Sequence, residues 1–477
     1  MTSTAALPVT AAGLRKMLLP LALAQFICSF AGSNMNVMIT DISNDLDTTV
    51  EGVQTAITVF LLVMAALMIP GGKLCNRWGR KRCFTVGLVV YAVGAVLSAL
   101  SPTLGVLILG NSILEGVGTA MLIPPVYILT TLLFHDVTSR ARAFGAISGM
   151  AGIGAAAGPL IGGLITTAIS WRASFVFQAL VIGAILLLTR RLVDPLPPDP
   201  NSRPDTSGAA LSAIGLVLVV MGIQAAEINL WVTVGLVSLG VVFLGWFFLH
   251  IRAKERKGEE PLLSTQLFRN RTSDLGLVTQ NAQWLMMLGT AFVVSAYLQV
   301  VRGYNAIQTG VIFTAATAGI LISSFGAERF AKRRKQRTLI LAGFITTTIG
   351  IVVLVAVVAG NPKVWTFAPG LFLIGFGSGL MMTPSVNVVQ SSFPESRQGE
   401  ISGLSRAVSN LGSTFGTAIA GTVLVIGIDR GNHAYALAML ALGIAGLIGL
   451  VAAVLLPSER SPGIAPAEEK GSAPALV

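Results

Sequence analysis

One carboxylate of this sequence lies where no water is expected. Glu115 stands in NSILEGVGTAMLIPP, in the middle of a long apolar run. A carboxyl in such surroundings is costly unless it is paired, and it holds its proton more tightly than in water. A group of that kind can take up and release protons near neutral pH, the chemistry that a proton-coupled process needs. The plainer alternative is a permanently protonated Glu that only hydrogen-bonds within a helix bundle. Glu227 and Asp274 also sit in apolar surroundings, but near the ends of their runs.

Uncharged polar side chains recur at similar depth. Gln25, Ser29, Asn34 and Asn36 interrupt the first apolar run, and Gln280, Asn281 and Gln283, with Trp284, interrupt a later one. Asn387, Arg406 and Asn410 follow. Polar groups at mid-membrane depth mark a water-lined path. Arg406 either joins that path or reaches back to the membrane surface. Met286, Met287, Met381 and Met382 offer a pliable lining, or ordinary packing. One central carboxylate and few other charges suit an amphipathic or weakly cationic organic molecule. Cys28, Cys75 and Cys83 form no disulfide framework, and His135, His250 and His433 fall at run ends or in loops. No metal, cofactor or clustered catalytic set is expected.

These residues must be positioned by membrane helices. Of the 477 residues, 53% are hydrophobic and 11% charged, with mean hydropathy +0.78. A soluble domain carries about 25% charged residues, so this chain has too little polar surface for water. A helix needs about 20 apolar residues to cross the hydrocarbon core. Runs of that kind predict fourteen spans: 15–39, 53–71, 84–101, 104–127, 141–169, 173–192, 210–228, 231–251, 273–300, 306–326, 338–360, 364–390, 401–428 and 434–456. The first run is too long for the core of a cleavable signal peptide.

Basic residues set the expected orientation. With the N-terminus in the cytoplasm, all Lys and Arg but Arg172, Arg302, Lys363 and Arg430 fall inside, which places both termini cytoplasmic. The first outer loop is acidic, with Asp41, Asp45, Asp47 and Glu51. The net charge of +11 is therefore read as topology, and no nucleic-acid partner is expected. Two linkers, 193–207 and 252–271, divide the chain. The expected parts are a six-helix bundle at 1–192, linkers plus two inserted helices at 193–271, a second six-helix bundle at 272–457 and a cytoplasmic tail at 458–477. A decayed repeat supports this: NRWGRKR after helix 2 is echoed by ERFAKRR after helix 10, and GAAAGPLIGG in helix 5 by GSTFGTAIAG in helix 13. Duplicated halves are a transporter trait, with substrate bound midway between them.

Four motifs carry a family resemblance. They are GKLCNRWGRKR at 72–82, Gly154-x3-Gly158-Pro159-x2-Gly162-Gly163, Trp171-Arg172, and Tyr297-Leu298-Gln299 followed by Gly303-Tyr304. Together, over about residues 14–456, the chain resembles the fourteen-helix drug:proton antiporter branch of the major facilitator superfamily. The resemblance implies an all-α integral membrane protein of the cell membrane with the major facilitator fold. It implies multidrug efflux by alternating access, with a small-molecule substrate, protons and the bilayer as partners and a monomer as the working unit. It makes Gly72, Asn76, Arg77, Gly79, Arg80 and Lys81 a gating loop, and Gly154, Gly158, Pro159, Gly162 and Gly163 an antiporter motif. The glycines recur every four residues, so they line one face where another helix can approach.

The chain also departs from that family. The gating loop has Asn76 where relatives have an acid, so an amide replaces an ion-pair partner. Many relatives have an Arg one turn before position 115 and a Gln at it; here stand Ser112 and Glu115. Many have an Asp in mid helix 1, where this chain offers Ala31, Ser33, Asn34 and Asn36. The family's acid–base pair across helices 1 and 4 is absent, and Glu115 is left as the candidate proton carrier. Export of a native lipid or metabolite is the alternative reading; a membrane-embedded enzyme or a channel fits less well.

Overall fold

The computed structural model describes residues 11–134, 137–190, 192–195, 197–198, 205–227, 229–331, 336–358, 363–393, 398–427 and 431–457. The expected tail, 458–477, lies outside them, as do Lys332 and Arg333 of the second basic loop and the side chains of Asn76 and Arg329. The described residues contain no strand. In hydrocarbon every backbone N–H and C=O must be satisfied within its own segment, which leaves the helix as the solution for these runs.

Among the described residues, fourteen helices are long and apolar enough to cross a membrane. They are α1 (Ala11–Asn34), α2 (Val50–Trp78), α3 (Arg80–Ala99), α4 (Leu104–Leu133), α5 (Val137–Ala168), α6 (Trp171–Thr189) and α7 (Thr206–Gln224). Then come α8 (Leu230–Arg256), α9 (Arg271–Ala296), α10 (Ala306–Ala331), α11 (Gln336–Val358), α12 (Ala368–Gln390), α13 (Gln398–Ile426) and α14 (Asn432–Leu455). α4 is π-helical over Ile108–Glu115, and α9 continues as a π-helical turn over Tyr297–Val301.

Helix starts follow side-chain caps. Thr49 accepts from Gly52 N at 3.2 Å, Ser170 from Ala173 N at 3.3 Å, Asn229 from Trp231 N at 2.8 Å and Asn270 from Thr272 N at 3.0 Å. Each satisfies a backbone donor that a helix leaves orphaned at its first turn. α2 outruns its predicted span, 53–71, at both ends. The Thr49 cap starts it early, and Lys73 and Arg77 prolong it until Gly79, whose φ of 89° turns the chain directly into α3. That backbone region is open to glycine and closed to most side chains.

The helices pack as two bundles with matching internal contacts. In the first, α1 packs on α5, α3 on α4 and α6, and α2 on α4. In the second, α9 packs on α13, α11 on α12 and α14, and α10 on α12. The bundles meet along two seams, α2 with α13 and α5 with α10. α7 and α8 pair with each other, and α7 lies on both α2 and α13, where Val220 is buried with Leu62 and Ala418. α8 faces outward, with only Gly240 and Ile251 buried among its described residues.

Candidate functional site

The two seams enclose a cavity of about 140 Å³. The first bundle contributes Gln25, Ser29, Ser33 and Asn36 from α1 and its following turn, with Met64 and Met68 from α2 and Thr119 from α4. The second contributes Trp284 and Met287 from α9, Phe313 from α10, Ser378 from α12, and Arg406, Asn410 and Ser413 from α13. Of the expected cavity residues, Gln25, Ser29, Asn36, Trp284 and Asn410 line it. Cys28, Ser33, Thr119 and Ser413 line it as well and were not expected.

The other expected residues point elsewhere. Gln280 accepts from Ser405 Oγ at 2.8 Å, Asn281 donates to Val408 O at 3.0 Å and Gln283 donates to Ser378 O at 3.1 Å. These three bind α9 to α13 and α12 of its own bundle. Asn34 is fully buried against Gly162 of α5, and Asn387 is exposed near the end of α12. Their common reason is geometric: a helix that is apolar all round gives no stripe from which to read its inward face.

Glu115 is fully buried but lies off the cavity wall. It ends the π-helical stretch of α4, and such bulges are frequent at functional sites. Gly94 of α3 makes room for it: a Cβ there would stand 2.9 Å from Glu115 Cγ. Tyr91 and Ser98 are its polar neighbours, yet Tyr91 Oη donates to Gln178 Oε1 at 2.6 Å and Ser98 Oγ to Gly94 O at 2.9 Å. Neither carboxyl oxygen has a hydrogen-bond partner among the described residues. Thr119, one turn further along α4, reaches the cavity beside Cys28. Ser112, one turn earlier, donates to Ala56 O of α2 at 2.6 Å.

The glycine motif of α5 is a contact surface. A Cβ at Gly154 would stand 2.2 Å from Phe26 O, at Gly158 2.0 Å from Ser33 Oγ, and at Gly162 1.8 Å from Asn34 Oδ1. Gly163 meets Ala306 O of α10 in the same way, and Pro159 lines the cavity. α13 repeats the arrangement on α9: Gly412 abuts Asn281 O and Gly416 abuts Leu285 O. The repeat read in the sequence is therefore a repeated backbone approach, of the kind small residues permit in membranes.

Contacts bridge the two bundles at both ends. At the end carrying Asp41 and Asp45, Gln299 donates to Asn36 O at 2.8 Å and accepts from Thr40 N at 3.2 Å. Gln54 of α2 donates to Thr422 Oγ1 of α13 at 3.4 Å. Arg172 and Trp171 both reach Asp45, the indole Nε1 at 3.1 Å, and so pin the acidic loop. At the opposite, basic end, Lys73 Nζ lies 3.4 Å from Glu400 Oε1, joining α2 to α13. Beside it Arg406 donates to Tyr127 Oη and lies 4.8 Å over that ring.

The expected gating loop sits at this basic end. Gly72 packs on Pro124 of α4, Arg77 is exposed, and Arg80 and Lys81 are half-buried. Their backbone N–H groups donate to Asp194 Oδ2 at 2.7 and 3.3 Å, so an acid from the 193–207 linker caps α3. A second acid, the buried Asp205, caps α7 through Gly208 N at 3.0 Å and meets His250 Nε2 at 3.1 Å and Lys254 Nζ at 3.2 Å. Burial alone would raise its pKa; the Gly208 N–H, His250 and Lys254 outweigh that and hold the carboxyl below its usual range.

Comparison with known proteins agrees with this architecture. The sequence is 29% identical over 476 residues to the puromycin resistance protein pur8 of Streptomyces alboniger, covering 94% of this chain and 92% of that one. It is 27% identical over 397 residues to the multidrug resistance protein Stp of Mycobacterium tuberculosis, covering 82% and 72%. The fold resembles the crystal structure of the peptide transporter POT in complex with sulfate, with TM-score 0.67 at 16% identity, covering 92% of this chain and 95% of that one. The sequence pattern described as Major Facilitator Superfamily matches residues 21–416 and, again, 277–477. The chain belongs to the Major Facilitator Superfamily, and is a multi-pass transporter of the cell membrane rather than an enzyme.

Proposed function

We propose that this transporter exports amphipathic, drug-like organic compounds by alternating access, driven by proton exchange. The observation that carries the reading is the cavity between two matched bundles, bridged by side chains at both ends. A carrier needs a site that can open to either side in turn, and matched halves closing on a midplane site provide it. The wall mixes Met and aromatic surface with scattered uncharged polar groups, which suits varied organic cargo. Relatives named for resistance to puromycin and to multiple drugs support export.

The basic end is assigned to the cytoplasm, with both termini there, on the positive-inside rule. The working units are the bundles at 1–192 and 272–457, the inserted segment 193–271 between them and the tail 458–477, and one chain suffices. Glu115 is assigned the proton, as a carboxyl that no described residue hydrogen-bonds. Everted vesicles carrying the protein should accumulate ethidium when energised and stop when an uncoupler is added. Accumulation that survives the uncoupler removes proton drive; energised vesicles that accumulate no member of a drug panel remove export.

A further inference from the structure

Arg406 is the only charged side chain among the described residues of the cavity wall. It stands on α13 about two turns from the helix start at Gln398. No carboxylate pairs with it among the described residues: Glu400 is taken by Lys73, and Glu115 is packed behind the wall against α3. Among the described residues its guanidinium engages Tyr127, through one donor and the ring face. Tyr127 in turn donates to Gln25 Oε1 at 3.5 Å, and Gln25 donates to Ser29 Oγ at 3.3 Å. The rest of the wall is apolar or uncharged.

A cation facing an apolar cavity is costly without a compensating charge. A tyrosine ring compensates part of it. The guanidinium carries five donors in a flat fork that fits a carboxylate, sulfonate or phosphate two-pronged, and most of that fork is left unengaged. This reverses the sign of charge expected from the sequence, because the acid lies off the wall and the base lies on it.

We infer that Arg406 is a substrate-binding residue that selects organic acids, holding an anionic group while the apolar body of the molecule rests on Trp284, Met64, Met287 and Phe313. This deepens the proposed export function and rests on it. Tyr127 belongs to the opposite bundle from Arg406. An acid that draws the fork into the cavity therefore loosens a tie between the bundles at the basic end, so binding and opening share one side chain.

The test uses dansylglycine, an acid, against its neutral amide, dansylglycinamide, titrated by dansyl fluorescence into the purified full chain. Wild type is expected to bind the acid at least tenfold more tightly than the amide. Arg406→Gln is expected to erase that preference, and Arg406→Lys to keep part of it while ruling out misfolding as the cause. Tyr127→Phe, which keeps the ring, is expected to keep the preference. Equal binding of acid and amide, binding of neither, or a preference that survives Arg406→Gln overturns the inference. Energised efflux, assayed with dansylglycine as well as ethidium, separates the two readings. Energised efflux without acid preference leaves export standing and removes this site. Arg406-dependent acid binding without any energised efflux does the reverse.

Discussion

Lys73 on α2 and Glu400 in the first turn of α13 face each other at 3.4 Å across the two bundles, both partly exposed. Lys73 stands one turn before Asn76, the position at which the family resemblance implies an acid. The pair gives the basic end an ionic tie made from other positions. An exposed pair of this kind contributes about 0–1 kcal/mol, and 1 kcal/mol shifts a two-state ratio about fivefold. We expect Lys73→Glu and Glu400→Lys each to favour the form open at the basic end, and the double swap to restore wild-type behaviour. Labelling of a cysteine placed at Asn410, from the basic side, checks this. A double swap no different from either single change would sink the pairing.

Glu115→Gln should leave the fold intact, since the amide keeps the shape and removes a group with no described hydrogen-bond partner. Desolvation cost falls with it, so thermal stability should hold or rise slightly. Drive by the proton gradient should be lost, while exchange of labelled substrate at equal pH persists. The comparison is made in everted vesicles. Full retention of gradient-driven transport would remove Glu115 as the proton carrier.

Gly158→Ala places a methyl group 2.0 Å from Ser33 Oγ. Overpacking of this degree costs about 1–3 kcal/mol and should lower both the melting temperature and transport. Gly149→Ala on the same helix meets nothing within 4 Å and should be neutral, or stabilising by up to about 1 kcal/mol through helix propensity. Melting in detergent distinguishes them; equal effects would show that the glycine face is not a contact.

Asp205→Asn should cost about 1–3 kcal/mol at neutral pH, by weakening charged hydrogen bonds to His250 and Lys254. The pH dependence follows from the lowered carboxyl. Its contribution is complete above the unfolded-state pKa of about 3.9 and is lost as pH falls through the lower folded value. The gap in melting temperature between variant and wild type should therefore be wide at neutral pH and close below about pH 4. A gap independent of pH would assign the effect to packing.

The fourteen spans were legible because each is an apolar run of membrane length, and the glycine faces because Gly154, Gly158 and Gly162 repeat every four residues. The ends were less legible. α2 extends to Trp78 because helix continues past the hydrocarbon until Gly79 breaks it. The cavity was half legible. Gln25 and Ser29 lie on the inward side of α1 and Asn36 on the turn that follows it, whereas Gln280, Asn281 and Gln283 serve contacts within their own bundle. Depth can be counted along a sequence, but rotation about the axis depends on neighbours far away in the chain. Arg406 shows the same limit. Its position allowed a side chain reaching the membrane surface, and the ring of Tyr127, on another bundle, holds it on the cavity wall instead.

A carrier made of two like bundles alone would have two equivalent flanks. Here α7 covers one seam, touching α2 through Thr55 and Gln224 and α13 through Ala418, while the α5–α10 seam has no such cover among the described residues. The molecule thus has a back and a front. At the uncovered α5–α10 joint Gly163 and Gly310 bring the bundles' backbones together. The α7–α8 pair thus makes the two flanks of the paired bundles unequal.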